Sequence, residues 1–103
     1  MSKSFIIGAV DQIPPGEGRN FEVEHQQIAV FRTHAGEIYA TQATCPHLEG
    51  PLADGLLGGT MIVCPLHDRT FDLRTGECVG ADCASLKTYA VTLTERSQIL
   101  ISL

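Results

Sequence analysis

The sequence predicts an all-β fold, a sandwich or small barrel of seven to nine short strands. Three observations carry that prediction. Apolar residues come in short runs or in period-two alternation, no stretch keeps an amphipathic repeat long enough for a helix, and Gly and Pro signals cut the runs at short intervals. The chain has 103 residues, 44% of them apolar and 18% charged, so residues 1–103 are read as a single domain around one core.

Ser4 to Val10 is the first apolar run, and Pro14-Pro15-Gly16 halts it. Phe21 and Val23 then alternate with Glu22 and Glu24 as in a half-buried strand, and Ile28 to Phe31 follows as a more fully buried one. Ala35-Gly36 marks a hairpin turn before a strand over Glu37 to Ala43, because glycine supplies the positive φ of a tight reversal. Met61 to Cys64 and Thr70 to Leu73 are shorter candidates, with a turn at Gly58-Gly59 before the first and Thr75-Gly76 after the second. Tyr89, Val91 and Leu93 alternate with Ala90, Thr92 and Thr94, and Ile99 to Leu103 forms the last strand.

Composition narrows the function. Seven Lys and Arg stand against twelve Asp and Glu, for a formal charge of -5, which argues against nucleic acid or anionic lipid as a partner. Trp is absent, so no aromatic platform for stacking bases is evident. Phe5 to Val10 is too short for a signal-peptide core or a membrane span, and the expected location is cytoplasmic. In a reducing compartment the four cysteines point to metal or redox chemistry rather than a disulfide scaffold. No phosphate-binding, dinucleotide or nucleophile-elbow motif is present, so the chain makes no case for catalysis by itself.

The chemistry is concentrated in Cys45-Pro46-His47 and Cys64-Pro65-Leu66-His67, separated by sixteen residues. Each loop offers one thiolate and one imidazole, a split that suits a two-metal cluster with different ligands on each metal. The pattern Cys-x-His-x16-Cys-x2-His resembles the signature of the Rieske [2Fe-2S] family. The segments Gly50-Pro51-Leu52-Ala53-Asp54-Gly55, Thr70 to Gly76 and Leu86 to Val91 extend that likeness over nearly the whole chain. The resemblance implies three stacked antiparallel β-sheets and one [2Fe-2S] cluster per chain. It also implies cluster-binding loops at about 45–55 and 64–72, with Cys45, His47, Cys64 and His67 as ligands. Replacing two anionic thiolates by neutral imidazoles raises the potential of such a cluster to roughly -150 to +300 mV. Pro46 and Pro65 fix φ beside the thiolates, and Gly50 and Gly55 are expected to serve tight loop turns.

Departures from the high-potential branch of the family matter too. Where that branch carries a disulfide between the loops, this chain has Gly50 and Leu66, and where it carries hydroxyl donors this chain has Arg69 and Phe71. Without those hydroxyls the lower part of the Rieske range is expected.

The resemblance implies a one-electron carrier, not an enzyme, working between an NAD(P)H-dependent flavin reductase and a terminal oxygenase, and a monomer when free. A small subunit paired with the large subunit of an NAD(P)H-dependent nitrite reductase is the alternative. Two Cys and two His could also hold a structural zinc in an interaction module. Leu48, Pro51 and Leu66 are candidate docking residues, and Glu49, Asp54, Asp68 and Arg69 are either solvated loop charges or a steering set. Cys78 and Cys83 are expected to be small hydrophobes rather than a metal pair or a disulfide. His25 and His34 are expected on the surface.

Overall fold

The computed structural model describes residues 3–46, 50–66, 69–80 and 84–103. Its strands are β1 (Ser4–Ala9), β2 (Glu17–Val23), β3 (Gln26–Arg32), β4 (Ile38–Gln42), β5 (Leu56–Gly58), β6 (Met61–Val63), β7 (Thr70–Asp72), β8 (Cys78–Val79), β9 (Thr88–Leu93) and β10 (Gln98–Ser102). Single 3-10 turns follow β1 at Val10–Gln12 and precede β5 at Leu52–Asp54. Six strands form one antiparallel sheet in the order β1-β10-β9-β4-β3-β2, and four form a second in the order β5-β6-β7-β8.

The larger sheet curls on itself. Its two halves are paired through Ala40↔Tyr89 and Thr41↔Thr88 between β4 and β9, continued by the hydrogen bond from Gln42 N–H to the Lys87 carbonyl at 2.8 Å. Strand β3 shows why the halves and the smaller sheet stack as three layers. Ile28 and Val30 project from one face of β3 into a core shared with Ala40, Ile99 and Ile101. Ala29 and Phe31 project from the other face into a core shared with Leu52, Ile62, Phe71, Leu73 and Leu86. A strand with both faces covered reads as a continuous apolar run, as Ile28 to Phe31 does. Each fully buried Ile or Phe there stabilises the fold by about 1.5–3 kcal/mol.

The three expected layers are therefore present, two of them as halves of one continuous sheet. β8 is only two residues long and β5 three, and neither is among the predicted strands. Both belong to the smaller sheet, whose β6 and β7 lead into and out of the second cysteine loop.

Candidate metal centre

Two loops with the same construction carry the cysteines. Cys45 N–H donates to the Gly50 carbonyl at 2.8 Å, and Cys64 N–H donates to the Arg69 carbonyl at 2.7 Å. The first loop stands on a bridge between Thr44 and Pro51, and the second on the β6–β7 pair Val63↔Thr70. In each case the cysteine is the last residue before the chain leaves its hairpin stem, and its backbone donor is tied to the residue five positions on.

Both cysteines are 1% exposed, so their thiols lie at water-excluded loop bases. Neither is in a disulfide. They border the core of Leu52, Ile62, Phe71 and Leu86, which closes off the site from below. Leu52 matters most locally. It is fully buried in the 3-10 turn that follows the first loop, and its N–H reaches back to Ala43 at 3.1 Å.

The two loops meet at Gly50. A Cβ on Gly50 would lie 2.7 Å from Cys64 Sγ and 3.3 Å from Leu66 Cγ, so no side chain fits. A Cβ on Gly55 would strike the Val63 carbonyl. The sequence assigns these glycines to tight turns, but the structure gives another reason. Gly55 sits at φ -75°, outside the positive-φ region, and both glycines are small because the first loop passes directly against the second. The two positions without the clamp cysteines, Gly50 and Leu66, lie close together, since the Cβ added at Gly50 would also come within 3.3 Å of Leu66 Cγ.

Pro51 and Leu66 are exposed on this surface, as is Asp54. Arg69 is half-buried, and its Nε is shielded from water with no acceptor among the described residues. His47 and His67 lie outside the described residues, together with Leu48, Glu49 and Asp68. The described part of the donor set fits an iron–sulfur group. Two buried thiols, a cradle that one methyl would fill and a buried N–H, unmatched among the described residues, on the residue whose carbonyl pairs with Cys64 suit a compact group with anionic sulfur acceptors.

The end of β7 turned away from the loop is held by charge. The Asp72 carboxylate accepts from Arg74 N–H at 2.9 Å, from its Nε at 3.2 Å and from its Nη2 at 3.0 Å. The Arg74 side chain, and then its backbone N–H, hold the Asp72 carboxyl below its ordinary range, and the pairing raises Arg74 in turn. Nearby, burial and then the hydrogen bond to Glu37 push the Tyr39 hydroxyl upward.

Cys78 departs from expectation. It is disulfide-bonded rather than a reduced small hydrophobe, and it packs beside Phe71 at the edge of the same core. Cys83 lies outside the described residues. No group of three or more metal-ligating side chains occurs among the described residues, so Cys78 belongs to no second metal site there. His25 and His34 are exposed, as expected. Sequence reasoning missed the matched hydrogen bonds from each cysteine to the residue five on. The only trace of them is the equal offset from Cys45 to Gly50 and from Cys64 to Arg69.

Comparison with known proteins agrees with this geometry. The family model for the Rieske [2Fe-2S] domain matches residues 3–90. The ferredoxin component of a naphthalene 1,2-dioxygenase system from Pseudomonas aeruginosa is 38% identical over 96 residues, covering 92% of this chain and 90% of that protein. The ferredoxin of carbazole 1,9a-dioxygenase from Nocardioides aromaticivorans IC177 superposes with a TM-score of 0.85 at 29% identity, covering 96% of each chain. A structure assigned to an NADH-dependent nitrite reductase small subunit from Mycobacterium tuberculosis superposes at 0.91 with 22% identity, covering 100% of this chain and 96% of that one, a likeness of fold. With two matched loops, buried thiols and a family match over most of its length, the chain belongs to the Rieske [2Fe-2S] domain family.

Proposed function

We propose that the chain is a one-electron carrier that accepts an electron from an NAD(P)H-dependent flavin reductase and delivers it to the terminal oxygenase of a ring-hydroxylating system. It catalyses no reaction alone. Residues 1–103 act as one Rieske unit with cluster loops at 45–55 and 64–72. Cys45, His47, Cys64 and His67 hold the [2Fe-2S] cluster, which supplies a one-electron couple when bound. The paired-loop geometry carries this reading: two buried thiols with equivalent backbone hydrogen bonds, brought together by Gly50.

The chain's own residues divide the work. Cys45 and Cys64 are fixed by their backbone N–H groups, so little rearrangement is needed when the charge at the site changes. Leu52, Phe71 and Leu86 keep water from the protein side. Pro51 and Leu66 offer an exposed apolar contact beside the thiols, suited to a transient partner rather than an obligate one. Among the described residues no helix is long and apolar enough to cross a membrane. We place the carrier in the cytoplasm, as a monomer when free, with no nucleic-acid or membrane partner.

The naphthalene and carbazole relatives, both ferredoxins of dioxygenase systems, favour an oxygenase as acceptor. The test is to reduce the holoprotein with NADH and a dioxygenase-system flavin reductase, then mix it with the matching terminal oxygenase. Rapid bleaching followed by reoxidation is expected, with the carrier eluting as a free monomer. Stable co-elution with a nitrite reductase large subunit, and electron transfer to it alone, would replace this reading with the alternative.

A further inference from the structure

Arg69 is the residue whose placement the carrier role leaves unexplained. The β6–β7 register pairs Ile62 with Phe71 and Val63 with Thr70. The next step pairs Cys64 with Arg69, and the 2.7 Å hydrogen bond from Cys64 N–H to Arg69 O confirms it. Side chains alternate across a strand, and Ile62 and Phe71 both point into the core. Cys64 and Arg69 return to that inner side, where directly opposed residues hold their Cβ atoms about 4.5–5.5 Å apart. The Arg69 Nε is correspondingly shielded from water and has no acceptor among the described residues. In the first loop the corresponding place, five residues after the cysteine, is Gly50, whose missing Cβ points at Cys64 Sγ. Of two equivalent positions, one is empty and the other carries a permanent cation.

A buried guanidinium donor left without a partner is costly, and its place calls for an anionic acceptor that the described residues do not supply. We propose that Arg69 is a potential-setting residue, its guanidinium standing across the strand pair from Cys64 to stabilise the added negative charge of the reduced centre. The proposal rests on Cys45, His47, Cys64 and His67 being the cluster ligands. One electron enters, from an electrode or the flavin reductase, and no bond in the chain forms or breaks. Because arginine stays protonated at every accessible pH, its contribution is present across the whole range, and because it is partly buried, salt screens it weakly. It stands where the hydroxyl donor of the high-potential branch is missing and restores part of that stabilisation.

The test is film voltammetry of the holoprotein for the wild type, Arg69→Met, Arg69→Lys and Arg96→Gln. The last makes the same change in net charge in the β9–β10 turn. Arg69→Met is expected to lower the reduced-to-oxidised ratio at a fixed potential about tenfold, or about 59 mV for one electron. Arg69→Lys should recover at least half of the loss, Arg96→Gln should show almost none, and the ordering should persist in high salt. Circular dichroism and iron content report whether each variant keeps its fold and cluster, and Arg69→Lys serves if Arg69→Met does not. Equal potentials in wild type and Arg69 variants would overturn the proposal. So would unchanged potentials with slower transfer to the oxygenase, which would make Arg69 a docking cation. A wild type that binds no [2Fe-2S] cluster would instead overturn the ligand reading beneath it.

Discussion

At Gly50 a single methyl group decides whether the second cysteine keeps its place. The clash distance of 2.7 Å to Cys64 Sγ cannot be relieved by a flexible tip, because Gly50 is itself tied by its carbonyl to Cys45. Gly50→Ala should therefore push the loops apart at a cost of about 1–3 kcal/mol at the site. The expected outcome is at least a severalfold fall in iron bound per chain, read by metal analysis, while circular dichroism shows the β-layers intact. Iron content equal to wild type would show that the loops do not depend on this contact. Spacing and the family resemblance singled out Cys45 and Cys64, and the structure buries both at the bases of matched loops. The need for glycine was legible but its cause was not, since a residue required by close approach and one required by positive φ look alike in a sequence.

Among the elements, the strands that alternate or run continuously were the readable ones. Ile28 to Phe31 and Tyr89 to Leu93 fall within β3 and β9 because burial on two faces or one leaves a plain apolar pattern. β5 and β8 left no such pattern: they are three and two residues long, and Leu56 in β5 is 76% exposed. The β2–β3 turn was hidden for a different reason. Glu24 and His25 take φ of 49° and 65°, where Asn-Gly would normally announce the reversal. Turn chemistry also gives the β7–β8 connection its pH response. With its carboxyl held below the ordinary range by Arg74, Asp72 stabilises the fold fully above the unfolded carboxyl pKa near 4, and that contribution is lost as pH falls through the lower folded value. Asp72→Asn should cost about 1 kcal/mol at neutral pH in urea unfolding, with the gap to wild type closing in acid. A gap that persists unchanged below the folded value would show that the carboxylate charge is not what holds the turn.

Across the whole molecule, three layers place one buried strand, β3, beneath the smaller sheet, and that sheet presents the cysteine loops at its β6–β7 end. The all-β class followed from periodicity and the layering from the family resemblance alone, whereas the continuity of two layers through β4 and β9 rests on a short junction at Ala40 to Gln42, too brief to leave a sequence signal. Nor could the sequence distinguish a reduced Cys78 from a disulfide-bonded one, because pairing depends on Cα separation and redox state rather than on composition. The net charge of -5 and the apolar contact of Pro51 and Leu66 suit a carrier that meets partners briefly, and all of that use presupposes one inorganic centre gripped by both loops. The most direct test is to measure iron, acid-labile sulfide and zinc in the purified protein, alongside the EPR spectrum after dithionite reduction. Two irons and two sulfides per chain with a histidine-ligated [2Fe-2S] signal are expected; a single zinc with no sulfide and no signal would contradict the account.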